Sequence, residues 1–156
     1  NVSVSEETLE LFYRQNFVAY LQKGVDNSML DSKLLREFDL AALAAHLQPD
    51  RDQLFEYMGL QTLHEKYLIK AHNARIELPQ YFWMRIAMGL ALGEAEHKTA
   101  AACRFYDLIS QLLCVPGTPT LLHAGTRRSQ LSSCYLTTVN DDLIHIFKCL
   151  AENGKL

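Results

Sequence analysis

The side chains best suited to chemistry gather late in the sequence, where Thr118 to Val139 is rich in Thr, Ser, Gly and β-branched residues and carries Ser132-Ser133-Cys134. A thiolate is a nucleophile and a metal ligand, and a thiol can close onto a second thiol. Short hydroxyls are uncharged donors that hold an anion when several converge on it. The four cysteines are Cys103, Cys114, Cys134 and Cys149, and none falls in a C-x-x-C pair, so neither a zinc knuckle nor a thioredoxin-type motif is present. By residue type alone each is a small, buried, inert hydrophobe. The six histidines show no H-x-x-x-H or H-E-x-x-H spacing, and no metal site is expected. Arg127-Arg128 invites comparison with a phosphate site, but adjacent side chains diverge and no Gly-rich cradle surrounds them, which favours a solvated loop pair. Asn140-Asp141-Asp142 precedes an apolar periodic run, so one of the two acids is expected to cap a last helix over Leu143–Ala151.

These groups need elements to position them. Ser3 and Glu6 stand in capping-box register, and Leu9, Phe12, Tyr13, Phe17, Tyr20 and Leu21 recur at helical spacing until Gly24. Asp31 or Ser32 can cap a short helix through Phe38, Asp39 can open another through Leu47, and Asp50 or Asp52 begins one with Leu54, Tyr57 and Met58 on one face. Tyr67-Leu68-Ile69 and Arg75-Ile76-Glu77 predict a small hairpin. Pro79 suits the first turn of a helix whose apolar stripe Phe82, Ile86, Leu90 runs to Gly93, with Trp83 as packing. Thr99 through Cys114 predicts a further helix, closed by Pro116-Gly117. Beyond it, Thr118–Leu122 and Cys134–Val139 read as two strands, which are marginal alone and imply that more chain follows. On one side of the last helix, Leu143, Ile146, Phe147 and Leu150 are apolar.

The net charge of −3 gives no electrostatic footprint for nucleic acid, and no apolar run approaches the roughly 20 residues of a membrane span. Asn1–Glu7 lacks the basic and apolar regions of a signal peptide, so the cytoplasm is the expected compartment.

Pro119-Thr120-Leu121, Ala124-Gly125-Thr126 and Gln130-Leu131-Ser132-Ser133-Cys134 together resemble the large subunit of class I ribonucleotide reductases, whose pattern there reads P-T-L-x-N-[AS]-G-T and then Q-[LF]-[SA]-S-C. The run Glu77-Leu78-Pro79-Gln80-Tyr81-Phe82-Trp83-Met84-Arg85-Ile86-Ala87-Met88-Gly89 is similar to the helix that precedes that family's barrel. His123 departs from the usual Asn, and Gly117 stands where some relatives have Pro.

The resemblance implies a mainly α fold: a helical N-terminal domain over 1–116 with a small β-hairpin, then 117–156 as the first strands of a ten-stranded α/β reductase barrel. It implies a thiyl-radical enzyme that replaces the ribose 2′-hydroxyl with hydrogen, and Cys134 matches one of its two redox thiols. Thr118 matches a position facing the substrate diphosphate and Ser133 one facing the ribose hydroxyls. Asp141 and Leu143 match the start of the specificity site for a deoxynucleoside triphosphate, and the last helix matches a dimer-contact helix. Expected partners are a ribonucleoside diphosphate, a dNTP effector, the small radical-generating subunit, thioredoxin or glutaredoxin, and a second copy of the large subunit, with neither nucleic acid nor membrane. No cofactor is expected in this stretch; the family draws its radical from the metal-containing small subunit and is governed by ATP and dNTP effectors. The stretch alone is expected to be inactive. A non-catalytic helical interaction module is the alternative, in which Asp141 only caps and Cys134 only packs; an anaerobic-class radical enzyme ranks below both.

Overall fold

The computed structural model describes residues 6–72 and 74–155. The capping box expected at Ser3 and Glu6 lies outside the described residues and side chains. Helix α1 (Glu6–Asp26) buries Tyr13, Phe17, Tyr20 and Leu21, the face set by their three- and four-residue spacing. Its partners are α2 (Lys33–Arg36) and α3 (Leu40–His46). Of the two possible caps for α2, Asp31 acts through its side chain, accepting the Lys33 N–H at 2.9 Å, while Ser32 holds the cap position without a side-chain bond. Asp39 caps α3 as expected, accepting the Ala42 N–H at 3.0 Å.

The centre of the molecule is α5 (Pro79–Ala91), which packs along α6 (Lys98–Ser110). Proline opens α5 where its missing N–H costs nothing. The helix is enclosed nearly all round, with every side chain from Gln80 to Met88 buried, and Trp83 stacks in parallel on Phe55 at 6.1 Å between ring centres. Several polar groups inside this core are paired: Tyr13 donates to Asp52 Oδ2 at 2.5 Å, Gln80 Nε2 to Asp52 Oδ1 at 2.7 Å, and Tyr106 to Gln80 Oε1 at 2.5 Å, whereas the buried Trp83 Nε1 has no partner. Burial pushes the Asp52 carboxyl above its ordinary value against the pull of those two donors.

Several elements differ from expectation. In place of one helix from Asp50 or Asp52 through Met58, a 3₁₀ turn (Pro49–Leu54) ends at Phe55 and a separate α4 (Tyr57–Thr62) follows, continued by a wide π turn (Leu63–Tyr67). Asp52 is drawn inward by Tyr13 and Gln80, and Leu54, Tyr57 and Met58, expected to share a packed face, are exposed. The hairpin exists, but its paired residues are β1 (Lys70–Ala71) and β2 (Ala74–Arg75), in the stretch expected to connect the strands. The Ile76 N–H bonds to the Ile69 carbonyl at 3.1 Å and extends the ladder by one bond toward the expected strands. Helix α6 stops at Ser110 rather than Cys114, with Leu112 turning at φ 59° and the Leu113 and Cys114 N–H groups returning to the Leu108 carbonyl.

The largest correction concerns Thr118–Leu122, which is not a strand but helix α7 (Thr118–His123). Gly117 enters extended, its carbonyl accepts the Leu121 N–H, and Pro119 lies in the first turn, where it favours helix. Cys134–Val139 forms no strand either, because no strand lies beside it among the described residues, whose only strand pairing is the two-stranded hairpin and one isolated bridge, Leu30 with Thr126. The last helix, α8 (Leu143–Asn153), runs two residues past its expected end at Ala151.

The segment after α7 returns to the core through a very close backbone approach. A Cβ on Gly89 would stand 2.1 Å from the Gly125 nitrogen, and one on Gly125, which has φ +74°, would stand 2.8 Å from the Arg85 carbonyl oxygen. Both contacts are with backbone, which cannot swing aside. Gly89→Ala is therefore expected to lower unfolding free energy by about 1–3 kcal/mol or more, as overpacking does. Urea denaturation checks this; an unchanged midpoint would show that the two segments separate freely.

Candidate functional site

The Gly117–Thr126 segment is held by one buried cation. Arg85 sits on the central helix with its side chain fully enclosed, and its Nη1 donates to the Ala124 carbonyl at 2.6 Å and its Nη2 to the Leu121 carbonyl at 3.1 Å. Its Nε donates to Glu77 Oε1 at 2.7 Å, and its guanidinium lies 5.2 Å from the Phe82 ring centre. Glu77 also accepts the Tyr20 hydroxyl at 2.5 Å and the Ile69 N–H at 3.0 Å. One buried pair thus joins α1, the start of the hairpin, α5 and α7. Burial alone would lower the Arg85 pKa, but the carboxylate beside it holds the guanidinium above its ordinary value. Burial and that same carboxylate push the Tyr20 hydroxyl well up, so it serves as a neutral donor. Sequence reading took this helix for its apolar stripe and missed these roles. The available signal was a lone arginine between Met84 and Ile86.

From this clamp the chain turns at Gly125 and runs outward. Thr118 is exposed at the first turn of α7. Ser133 and Cys134 are exposed neighbours, with Ser133 Oγ 3.7 Å from Cys134 Sγ. Cys114 is also exposed, Cys103 is half-buried and Cys149 is buried, all as free thiols. The stretch after Cys134 docks on α8: Thr137 Oγ1 donates to Asn153 Oδ1 at 2.7 Å, and the Cys149 thiol donates to the Thr138 carbonyl at 3.6 Å. Beside it the Asn140 N–H donates to His145 Nδ1 at 3.3 Å.

Of the two acids before α8, Asp142 is the cap, accepting the His145 N–H at 2.8 Å, which leaves Asp141 exposed and without that duty. Leu143 follows, also exposed, with Ile144, Phe147 and Leu150 outward on the same helix. Ser133 and Cys134, like Asp141 and Leu143, are neighbours through the sequence itself. Among the described residues no hydrogen bond joins either pair to the other or to Thr118. Asp142→Ala should cost about 1 kcal/mol, the usual loss of a cap; a helix-sensitive thermal melt reads this, and no change would show that α8 is held by other contacts.

A mainly helical body that clamps the short helix α7 and presents a Ser-Ser-Cys segment defines a recognisable class. Residues 53–129 match the family described as ribonucleotide reductase, all-alpha domain. The chain is 47% identical over 154 residues to the ribonucleoside-diphosphate reductase subunit alpha of Chlamydia muridarum, covering 99% of this chain and 14% of that protein. It is 38% identical over 142 residues to the subunit alpha of Helicobacter pylori, covering 88% of this chain and 18% of that protein. With the large subunit of Arabidopsis thaliana the identity is 34% over 158 residues, covering 96% of this chain and 18% of that protein. The chain belongs to the ribonucleotide reductase large-subunit family. It spans only 14% to 18% of the length of these relatives.

Proposed function

We propose that this chain forms part of a class I ribonucleoside-diphosphate reductase, with 1–116 as its helical N-terminal domain and 117–156 leading into a catalytic barrel. The observation that carries this reading is the 47% identity with subunit alpha over a stretch that covers 99% of the chain. Cys134 supplies one of two thiols. Together the thiols give two protons and two electrons: one hydrogen takes the place of the ribose 2′-hydroxyl, the hydroxyl leaves with the other as water, and the sulfurs join as a disulfide. The second thiol belongs to sequence beyond this stretch, and the pairing requires Cα atoms about 4.4–6.8 Å apart. Exposure of Cys134 in this chain fits a thiol that meets a further element.

Thr118 and Ser133 bind the substrate, Thr118 toward the diphosphate and Ser133 toward the ribose hydroxyls. Asp141 and Leu143 bind a deoxynucleoside triphosphate effector, and the freedom of Asp141 from capping supports this, since its carboxylate can accept a sugar hydroxyl. The outward apolar face of α8 meets a second large subunit. A small metal-containing subunit delivers the radical, thioredoxin or glutaredoxin resets the disulfide, ATP joins the dNTPs as effector, and the enzyme works in the cytoplasm. Among the described residues, no helix is long and apolar enough to cross a membrane.

The test is turnover by the complete large subunit carrying this chain, mixed with its radical-loaded small subunit, thioredoxin and its reductase. Deoxynucleoside diphosphate should accumulate from ribonucleoside diphosphate, and none should form with the 156-residue chain alone. No product from the complete, radical-loaded mixture would overturn the assignment.

A further inference from the structure

The fold sets Lys70 beside a local group of basic side chains, His123, Arg127 and Arg128, from which the sequence separates it. A cleft of about 730 Å³ lies between the turn after α1, the start of the hairpin and the far end of α7, lined among others by Lys70, His123, Arg127 and Arg128. Its apolar lining includes Tyr67 and Met29, and no acidic side chain contributes among the described residues. In a chain of net charge −3 that is a local reversal of sign. Among the described residues Lys70, Arg127 and Arg128 enter no ion pair, so their charge is not spent on carboxylates of this chain. The adjoining hollow, which Arg127 also lines, contains one acid, Asp31, whose Oδ1 accepts the Lys33 N–H.

The cleft wall is preformed. The Arg127 N–H donates to the Met29 carbonyl at 3.1 Å and the Asp31 N–H to the Gly125 carbonyl at 3.1 Å, stitching the two loops across the isolated Leu30–Thr126 bridge. Helix C-terminal carbonyls ordinarily repel an anion. Here those of Leu121 and Ala124 are taken by Arg85, and that of His123 by the Thr126 N–H and hydroxyl. The volume is within the roughly 300–1,000 Å³ typical of small-molecule sites, and the apolar wall suits a flat ring beside the charged groups.

We infer that this cleft binds an oligophosphate anion, free or carried by a nucleotide, with Arg127, Arg128 and Lys70 on the phosphates. It is separate from the substrate and effector positions: Thr118 lies at the opposite end of α7, and Asp141 and Leu143 lie at α8. The inference holds whether or not the reductase reading does. Sequence reading favoured a solvated Arg127-Arg128 pair because neighbouring side chains diverge; in the fold both line one cleft with the nearby His123, and Lys70 joins them from the hairpin.

Amide NMR of the 156-residue chain, titrated separately with ATP and with inorganic triphosphate, tests it. Shifts should cluster at Ser28, Met29, Lys70 and Thr126–Arg128. A response to ATP alone identifies a nucleotide-borne phosphate, and a response to both identifies the phosphate chain as the recognised group; either supports the site. Arg127→Glu with Arg128→Glu, checked for folding by circular dichroism, should weaken binding by roughly tenfold or more and flatten its salt dependence. Shifts confined to Asn140–Leu143, no shifts with either probe, or shifts that survive the charge reversal would each overturn it.

Discussion

Arg85→Met is expected to lower unfolding free energy by about 3–5 kcal/mol, the loss seen when one partner of a buried ion pair is removed. The substitution keeps the apolar stem and deletes every donor that Arg85 sends to Glu77, Leu121 and Ala124. Glu77 would be left enclosed, with only the Tyr20 hydroxyl and the Ile69 N–H as donors. In a domain of this size each kcal/mol corresponds to roughly 2–4 °C in Tm, so the fall should be visible in a thermal melt as well as in urea. Hydrogen exchange adds a positional readout. The Ala124 and Thr126 amides should open before those of α6, because the clamp on α7 goes first. Arg85→Lys keeps the charge but not the fork of donors and should recover only part of the loss. Adding Glu77→Gln to Arg85→Met removes the stranded charge and should restore part of the stability. If Arg85→Met alone cost under about 1 kcal/mol, the range of an exposed pair, the buried pair would not be what holds α7.

Cys134→Ser in the complete enzyme is expected to remove thioredoxin-dependent turnover by roughly three orders of magnitude or more, the scale on which loss of a reacting group is read. Serine matches the shape, but its hydroxyl cannot close a disulfide or release the second reducing equivalent. Stability should scarcely change, since Cys134 is exposed and its side chain takes part, among the described residues, only in the long hydrogen bond from Ser133. The pairing of lost turnover with an unchanged melt separates a redox thiol from a packing one. Cys114→Ser, at another exposed thiol, should leave turnover intact. Retained activity in Cys134→Ser would remove this residue from the chemistry and return it to packing.

Much of the site was legible because its signals are local. Pro79 opening α5, Asp39 capping α3 and an acid capping α8 each depend on backbone groups within a few residues, so the sequence window contains all the partners. Family resemblance reached Thr118, Ser133, Cys134, Asp141 and Leu143 through short motifs, and the comparisons establish the family itself while leaving those roles to experiment.

The sequence by itself determined the helical character, the main caps, the hairpin region and the family, all of which rest on near-neighbour geometry or contiguous motifs. Tertiary structure alone decided that the helix Thr118–His123, which Pro119 favours locally, is pinned by Arg85, and that Gly89 and Gly125 touch backbone to backbone. It also decided that Lys70, His123, Arg127 and Arg128 share a cleft. The physical reason is one of range. A β-branched, Thr-rich run favours extension only while strand partners are available, and with a buried guanidinium waiting for its carbonyls instead, the same run closes into a helix.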